Sequence, residues 1–182
     1  MKTLKIVPAL ILAAFASVAV AEVSPYEITV GVTQSRLDSF KLIDDADRSQ
    51  TGFTVGLSTQ LSGDFKGQVS YTKDAAGFDS DYIDGSVDTL GLGVRYTPWK
   101  KYCIEPFVDL GVNVNIVDLE IPHSDLHVSG TSAAPYFGIG ASWNIDKENA
   151  LALQYHRSWV EANVIDKNVN YDQIALTYSR RF

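Results

Sequence analysis

The chain has 182 residues and a formal net charge of −7, from 22 acids and 15 bases. That acidic balance excludes nucleic acid as a partner. Hydrophobic residues make up 46% of the chain, yet beyond the N-terminal segment no run approaches the roughly eighteen apolar residues of a spanning helix. The single cysteine, Cys103, excludes an intramolecular disulfide.

The N-terminus reads as an export signal. Lys2 and Lys5 precede an apolar stretch from Ile6 to Val18, and Ala19-Val20-Ala21 is a small-x-small cleavage site. Cleavage after Ala21 would leave residues 22–182 as one domain, more acidic by the two lost lysines. The destination is an oxidising compartment, where Cys103 serves as an ordinary small residue.

From Tyr26 the sequence alternates with period two, the signature of strands with two different faces. In the first strand Tyr26, Ile28, Val30 and Val32 oppose Glu27, Thr29, Gly31 and Thr33. After a polar loop, Phe53, Val55 and Leu57 define a second strand. Ser62-Gly63-Asp64 then turns the chain into a third with Phe65, Val69 and Tyr71. Asp74 to Asp84 is read as an acidic loop. The fourth strand carries Leu90, Leu92, Val94 and Tyr96, and the fifth Val108 to Ile116, with Pro106 near its start where a lost donor is tolerable. Asp118 to Gly130 is read as the longest loop. A sixth strand holds Phe137, Ile139 and Trp143, a seventh Leu151, Leu153, Tyr155 and Trp159, and the last runs from Val169 to Phe182.

A last strand with an open side would invite aggregation, so its natural partner is the first strand. Eight strands of about ten residues, joined alternately by long loops and short turns, then form a closed barrel of bilayer-spanning length. One face is apolar; the other is rich in Gly, Ser, Thr, Gln and Asn. A soluble barrel needs an apolar interior, so the polar face belongs inside and the apolar face in lipid. Aromatics collect at both ends of the apolar face: Tyr26, Tyr96 and Trp143 near the short turns, Phe53, Phe137 and Trp159 near the long loops. Such belts anchor a barrel at the two membrane interfaces. The expected fold is an all-β, eight-stranded antiparallel up-and-down transmembrane β-barrel.

Gly91-Leu92-Gly93-Val94-Arg95-Tyr96 and Pro135-Tyr136-Phe137-Gly138-Ile139-Gly140 resemble the Gly-x-Gly-x-aromatic strands of small OmpA- and OmpX-type outer-membrane barrels. The alternating last strand ending in Phe182 is similar to the closing strand of that family, although Arg180 stands where an apolar residue is usual. The resemblance implies the outer membrane as location. It also implies a role for Phe182 in the signal read by the barrel assembly machinery.

The interior of an eight-stranded barrel is just wide enough for side chains to fill it, which disfavours a diffusion pore. Lys66, Arg95, Glu105 and Asp109 are therefore expected to form a lumenal network, with Arg95 across from or diagonal to Glu105. His156-Arg157-Ser158 resembles the catalytic His-x-Ser of outer-membrane lipid A deacylases, since residues two apart share a face. The parity points both inward, and Trp159 replaces the family's Asn. The turn at Asp146 to Asn149 sets Gly140 opposite His156 and Gly138 opposite Ser158, small facing large. His123 and His127 flank Asp125 without a helical turn to align them, so no metal or cofactor is expected.

Lys73 and Arg157 have lipid-facing parity at the loop end, where phosphates of lipopolysaccharide are the natural contact. The loops hold most of the net acidic charge, Asp74 counted among them. They suit divalent-cation bridges to neighbouring lipopolysaccharide, or basic host or phage surface ligands. The expected function is structural and surface-interacting. The alternatives are a lipid A modifying enzyme using His156 and Ser158, and a narrow channel or small-molecule carrier.

Overall fold

The computed structural model describes residues 26–37, 49–75, 84–99, 103–120, 127–162 and 167–182. The segment read as an export signal lies outside them, as do His123 and Asp125. Eight strands follow in order: β1 (Tyr26–Leu37), β2 (Ser49–Ser62), β3 (Phe65–Ala75), β4 (Asp84–Tyr96), β5 (Ile104–Glu120), β6 (His127–Asn144), β7 (Asn149–Ala162) and β8 (Lys167–Arg181). Each pairs antiparallel with the next. β8 returns to β1 from Glu27 opposite Arg181 to Leu37 opposite Tyr171, closing the barrel.

Parity puts the apolar residues outside. Leu92, Leu110, Leu153 and Ile174 are exposed, while Thr33, Thr54, Asp109, Asn115 and Thr177 are buried within. An inside-out distribution of this kind suits a wall that has lipid as its outer solvent. Two of the short turns show why they form. Gly63 has φ of +50°, a left-handed conformation glycine adopts without steric cost, and Gln60 Nε2 donates to the carbonyls of Gly63 and Phe65. At the β6–β7 turn, Asp146 Oδ1 accepts from the main-chain N–H of Glu148 and of Asn149 at 2.8 and 2.7 Å. The Asn149 side-chain amide, which donates to the same carboxylate, and then these main-chain bonds hold the Asp146 carboxyl below the usual carboxylate range.

Two prolines set where ladders stop. The N–H of Asn144 donates to the Cys103 carbonyl and that of Ile145 to the Asn149 carbonyl. Main-chain groups alternate sides along a strand. Even-numbered residues of β5 therefore address β4, and odd-numbered residues of β6 address β7. Pro106 has no N–H to offer β4, and the β4–β5 ladder begins only at Tyr96 opposite Val108. Pro135 has none to offer β7. The β6–β7 ladder ends one rung below it, at Tyr136 opposite Ser158.

The structure corrects two loop boundaries. β5 and β6 stay paired as far as Glu120 opposite His127, so most of the expected third loop is hairpin and His127 is a strand residue. Asp74 belongs to β3, faces inward and is 0% exposed, so it is not part of an acidic loop surface.

Candidate functional site

The lumen is filled in tiers. At the turn end, Glu27 Oε2 accepts from Lys66 Nζ at 2.9 Å and from Arg181 Nε at 3.0 Å, and Arg181 also reaches Asn144. In the middle, Arg95 forms a two-point pair with Asp109, both bonds 2.8 Å, and donates to Gln154. Its guanidinium lies 3.6 Å from the centroid of the Phe107 ring. His156 Nε2 is 3.2 Å from Asp109 Oδ2, and the Tyr136 hydroxyl accepts from Gln68. Glycines make room for this layer. A methyl on Gly138 would strike His156, one on Gly140 the Phe107 ring, and one on Gly93 or Gly111 the Tyr136 ring.

Toward the loop end, Asn113 donates to Ser158 and Thr89 to Asn115. Above them the Asp74 carboxylate accepts from the hydroxyls of Thr33, Ser35 and Tyr171. A cavity of about 70 Å³ remains along the bore, lined from Glu27 and Lys66 at the turn end past Arg95 and His156 to Thr89. It holds a few waters at most. A hollow of about 300 Å³ at the turn end is lined by Glu27, Gln60, Lys66, Thr97, Glu105 and Arg181.

The four residues expected in a network are thus split. Arg95 pairs with Asp109, which is directly opposite it, and not with Glu105. Lys66 pairs with Glu27, while Glu105 lines the hollow at the turn end. His156 and Ser158 share the inner face but take different partners, Asp109 and Asn113. The cross-strand partners shift by two: Gly138 is opposite His156 and Tyr136 opposite Ser158. The Asp146 bonds fix the turn one residue earlier than the sequence suggested.

On the outer face Arg157 makes a two-point pair with Asp172, at 2.6 and 2.7 Å, and Tyr155 donates to the same carboxylate. Arg36 stands directly across from Asp172 on the β1 side. Lys73 lies 3.9 Å from Asp88, which also accepts from Tyr71. The two arrangements repeat one pattern: Tyr-x-cation on one strand, Asp opposite the cation on the next. Asp88 and Asp172 escaped the sequence reading. Each lies two residues before a lipid-facing Leu90 or Ile174, and that parity was the available signal. Phe182 stacks on Tyr26 at 5.3 Å between centroids, and its N–H donates to the Tyr26 carbonyl.

The profile of the outer membrane protein beta-barrel domain family matches residues 6–182. The chain belongs to that family. This outer-membrane barrel is therefore located in the outer membrane, which it crosses with strands. Among solved structures it is similar to neisserial surface protein A (NspA), with 16% identity, a TM-score of 0.68, and coverage of 86% of this chain and 97% of that one. It is also similar to Ail, the attachment invasion locus protein of Yersinia pestis, with 17% identity, a TM-score of 0.63, and coverage of 87% and 99%. The N-terminal β-barrel domain of Pseudomonas aeruginosa OprF follows, with 13% identity, a TM-score of 0.58, and coverage of 86% and 97%. At these identities the likeness is one of fold. No curated protein matches the sequence of this outer-membrane barrel.

Proposed function

We propose that this barrel is a structural and surface-interaction protein of the outer membrane, neither pore nor enzyme. The observation that supports this reading is the middle tier of the lumen. Arg95 bonds Asp109 and Gln154 and lies over the Phe107 ring, His156 lies within bonding distance of Asp109, and Gln68 bonds Tyr136, so these side chains occupy the bore. Ion flow would require breaking a buried pair, whose loss costs about 3 to 5 kcal/mol. Catalysis on lipid A would need His156 and Ser158 to face the lipid, whereas both point into the lumen.

The rim at the loop end is the surface of interaction in this proposal. Arg157 and Arg36 flank Asp172 with a net charge of +1, and Lys73 with Asp88 is neutral. The β7–β8–β1 side is thus the better seat for a lipopolysaccharide phosphate. Acidic loops direct any further partner toward basic host or phage surfaces or bridging divalent cations. Phe182 has a second role as an address for the barrel assembly machinery.

The test combines three measurements on one strain set. The purified protein should give no steps of conductance in planar bilayers. Lipid A from overexpressing cells should keep all its acyl chains, with His156→Ala changing nothing. Deletion of the gene should alter envelope integrity or adhesion. Acyl-chain loss that depends on His156 and Ser158 would replace this reading with the enzymatic one.

A further inference from the structure

The wall of the barrel is split between β6 and β7. Their ladder ends at Tyr136 opposite Ser158, yet β6 continues to His127 in its ladder with β5, and β7 continues to Ala162 in its ladder with β8. Residues 132–135 of β6 and 159–162 of β7 therefore run past each other unpaired. Pro135 supplies the cause, because its nitrogen faces β7 and carries no hydrogen.

The split has two chemically different sides. Outside, Ala133, Pro135, Phe137 and Trp159 are exposed. Inside, Asn115 and Ser132 stand directly opposite each other on β5 and β6. Asn115 is 2% exposed and its Oδ1 accepts from Thr89, but among the described residues neither its Nδ2 nor Ser132 Oγ has a hydrogen-bond partner. Two adjacent buried polar groups without partners are costly and call for an oxygen to bond them. The slot runs from Pro135, eight residues above Trp143, to Ser132, eleven above it. At about 3.3 Å per residue and a tilt near 40°, its lower end lies roughly 20 Å and Ser132 roughly 28 Å above the turn-side aromatics, so it straddles the outer edge of an apolar band about 25 Å tall.

We propose that this slot binds a neutral single-chain amphiphile from the outer leaflet. Its ester or hydroxyl oxygen bonds Asn115 Nδ2 and Ser132 Oγ, and its alkyl chain lies outside over Ala133, Pro135 and Trp159. A neutral head follows from the site's own chemistry. Asn113, Asn115, Ser132 and Ser158 line the inner side, all uncharged, so a carboxylate entering there would be desolvated without a cation to offset it. This site is separate from the lipopolysaccharide seat and does not depend on it.

The test uses the full barrel in bilayer nanodiscs with Trp99→Phe and Trp143→Phe, which leave Trp159 as the only tryptophan. A monoacylglycerol brominated on its chain should quench Trp159 saturably. Ser132→Ala should raise the half-quenching concentration about tenfold, the factor expected from one lost buried hydrogen bond. Pro135→Val restores an N–H toward β7. It should zip the ladder upward, protect the Ala133 amide from exchange and abolish the saturable phase. A brominated fatty acid at pH 8 should bind at least about tenfold more weakly. Heat-shifted gel mobility identifies folded variants, and either variant alone suffices if the other misfolds. Quenching that rises linearly with probe and is the same in all variants would mean simple partition into lipid, with Asn115 and Ser132 bridged by water. That outcome overturns the proposal, as would saturation unchanged by both substitutions or a fatty acid that binds equally well.

Discussion

At the scale of single residues, two ion pairs of near-identical geometry sit in opposite environments. Arg95 and Asp109 lie inside, with side-chain exposures of 16% and 0%; Arg157 and Asp172 lie outside, at 39% and 21%. Removing one partner of the inner pair leaves a buried charge without its counter-ion, whereas the outer rim can rehydrate either group. Arg95→Ala should therefore cost about 3 to 5 kcal/mol and Arg157→Ala far less, read as urea-unfolding free energies in lipid vesicles. His156 stays beside Asp109 in the Arg95 variant and softens its loss, so Asp109→Ala is the sharper test. Asp146 gives a second expectation at this scale. Its titration followed by carboxyl carbon resonance should have a midpoint below the usual carboxylate value of about 3.9. With the folded-state pKa depressed, its contribution to stability is present above the unfolded value and is lost as pH falls through the folded one. The partners of Arg95 and His156 were not legible in the sequence although both faces were. Parity says which side a residue takes, but register depends on where each turn closes. Asp146 decides that through the main-chain N–H groups it accepts, and Pro106 marks a ladder's end by the N–H it lacks; alternation records neither.

At the scale of elements, strands with strict alternation could be read to the residue. β1 begins at Tyr26 and ends at Leu37 as the pattern requires. β6 could not, because Ser129-Gly130-Thr131-Ser132-Ala133-Ala134 holds no large side chain to mark a face. Its upper half passed for loop. Asp74 was misplaced for the opposite reason: a carboxylate next to a polar stretch suggests solvent, and only the ring of hydroxyls around it makes the interior acceptable. β8 carries the prediction at this scale. Phe182 is 55% exposed and stacks on Tyr26, with Arg180 over its ring. As an anchor it contributes no more than about 1.5 to 3 kcal/mol, which a closed barrel survives. Deleting Phe182 should lower the membrane-inserted amount severalfold in cells while refolding into detergent stays near normal. Equal failure in both settings would make Phe182 structural and remove the proposed role as an address.

At the scale of the whole molecule, the lumen and the outer face divide the work. The interior fixes the shape of the barrel through bonds between distant strands, such as Tyr136 to Gln68 and Arg95 to Gln154. The outer face meets lipid, and the rim and loops are left for the partners proposed above. The lumenal bonds are thus remote from the loops, so loop sequences can change while the bore stays as it is.

The meeting of β1 and β8 has a topological consequence. Because Phe182 N–H reaches the Tyr26 carbonyl, a short linker could join the two ends of the barrel without stretching either strand, and the chain could be opened instead at any loop. A circular permutant cut between β4 and β5 should refold in detergent with the heat-shifted gel mobility of the parent, since every ladder but the severed turn is retained. In that molecule Phe182 keeps its seat on Tyr26 but is no longer terminal. Its insertion in cells would then separate position in the fold from position in the chain, which no substitution at residue 182 can do.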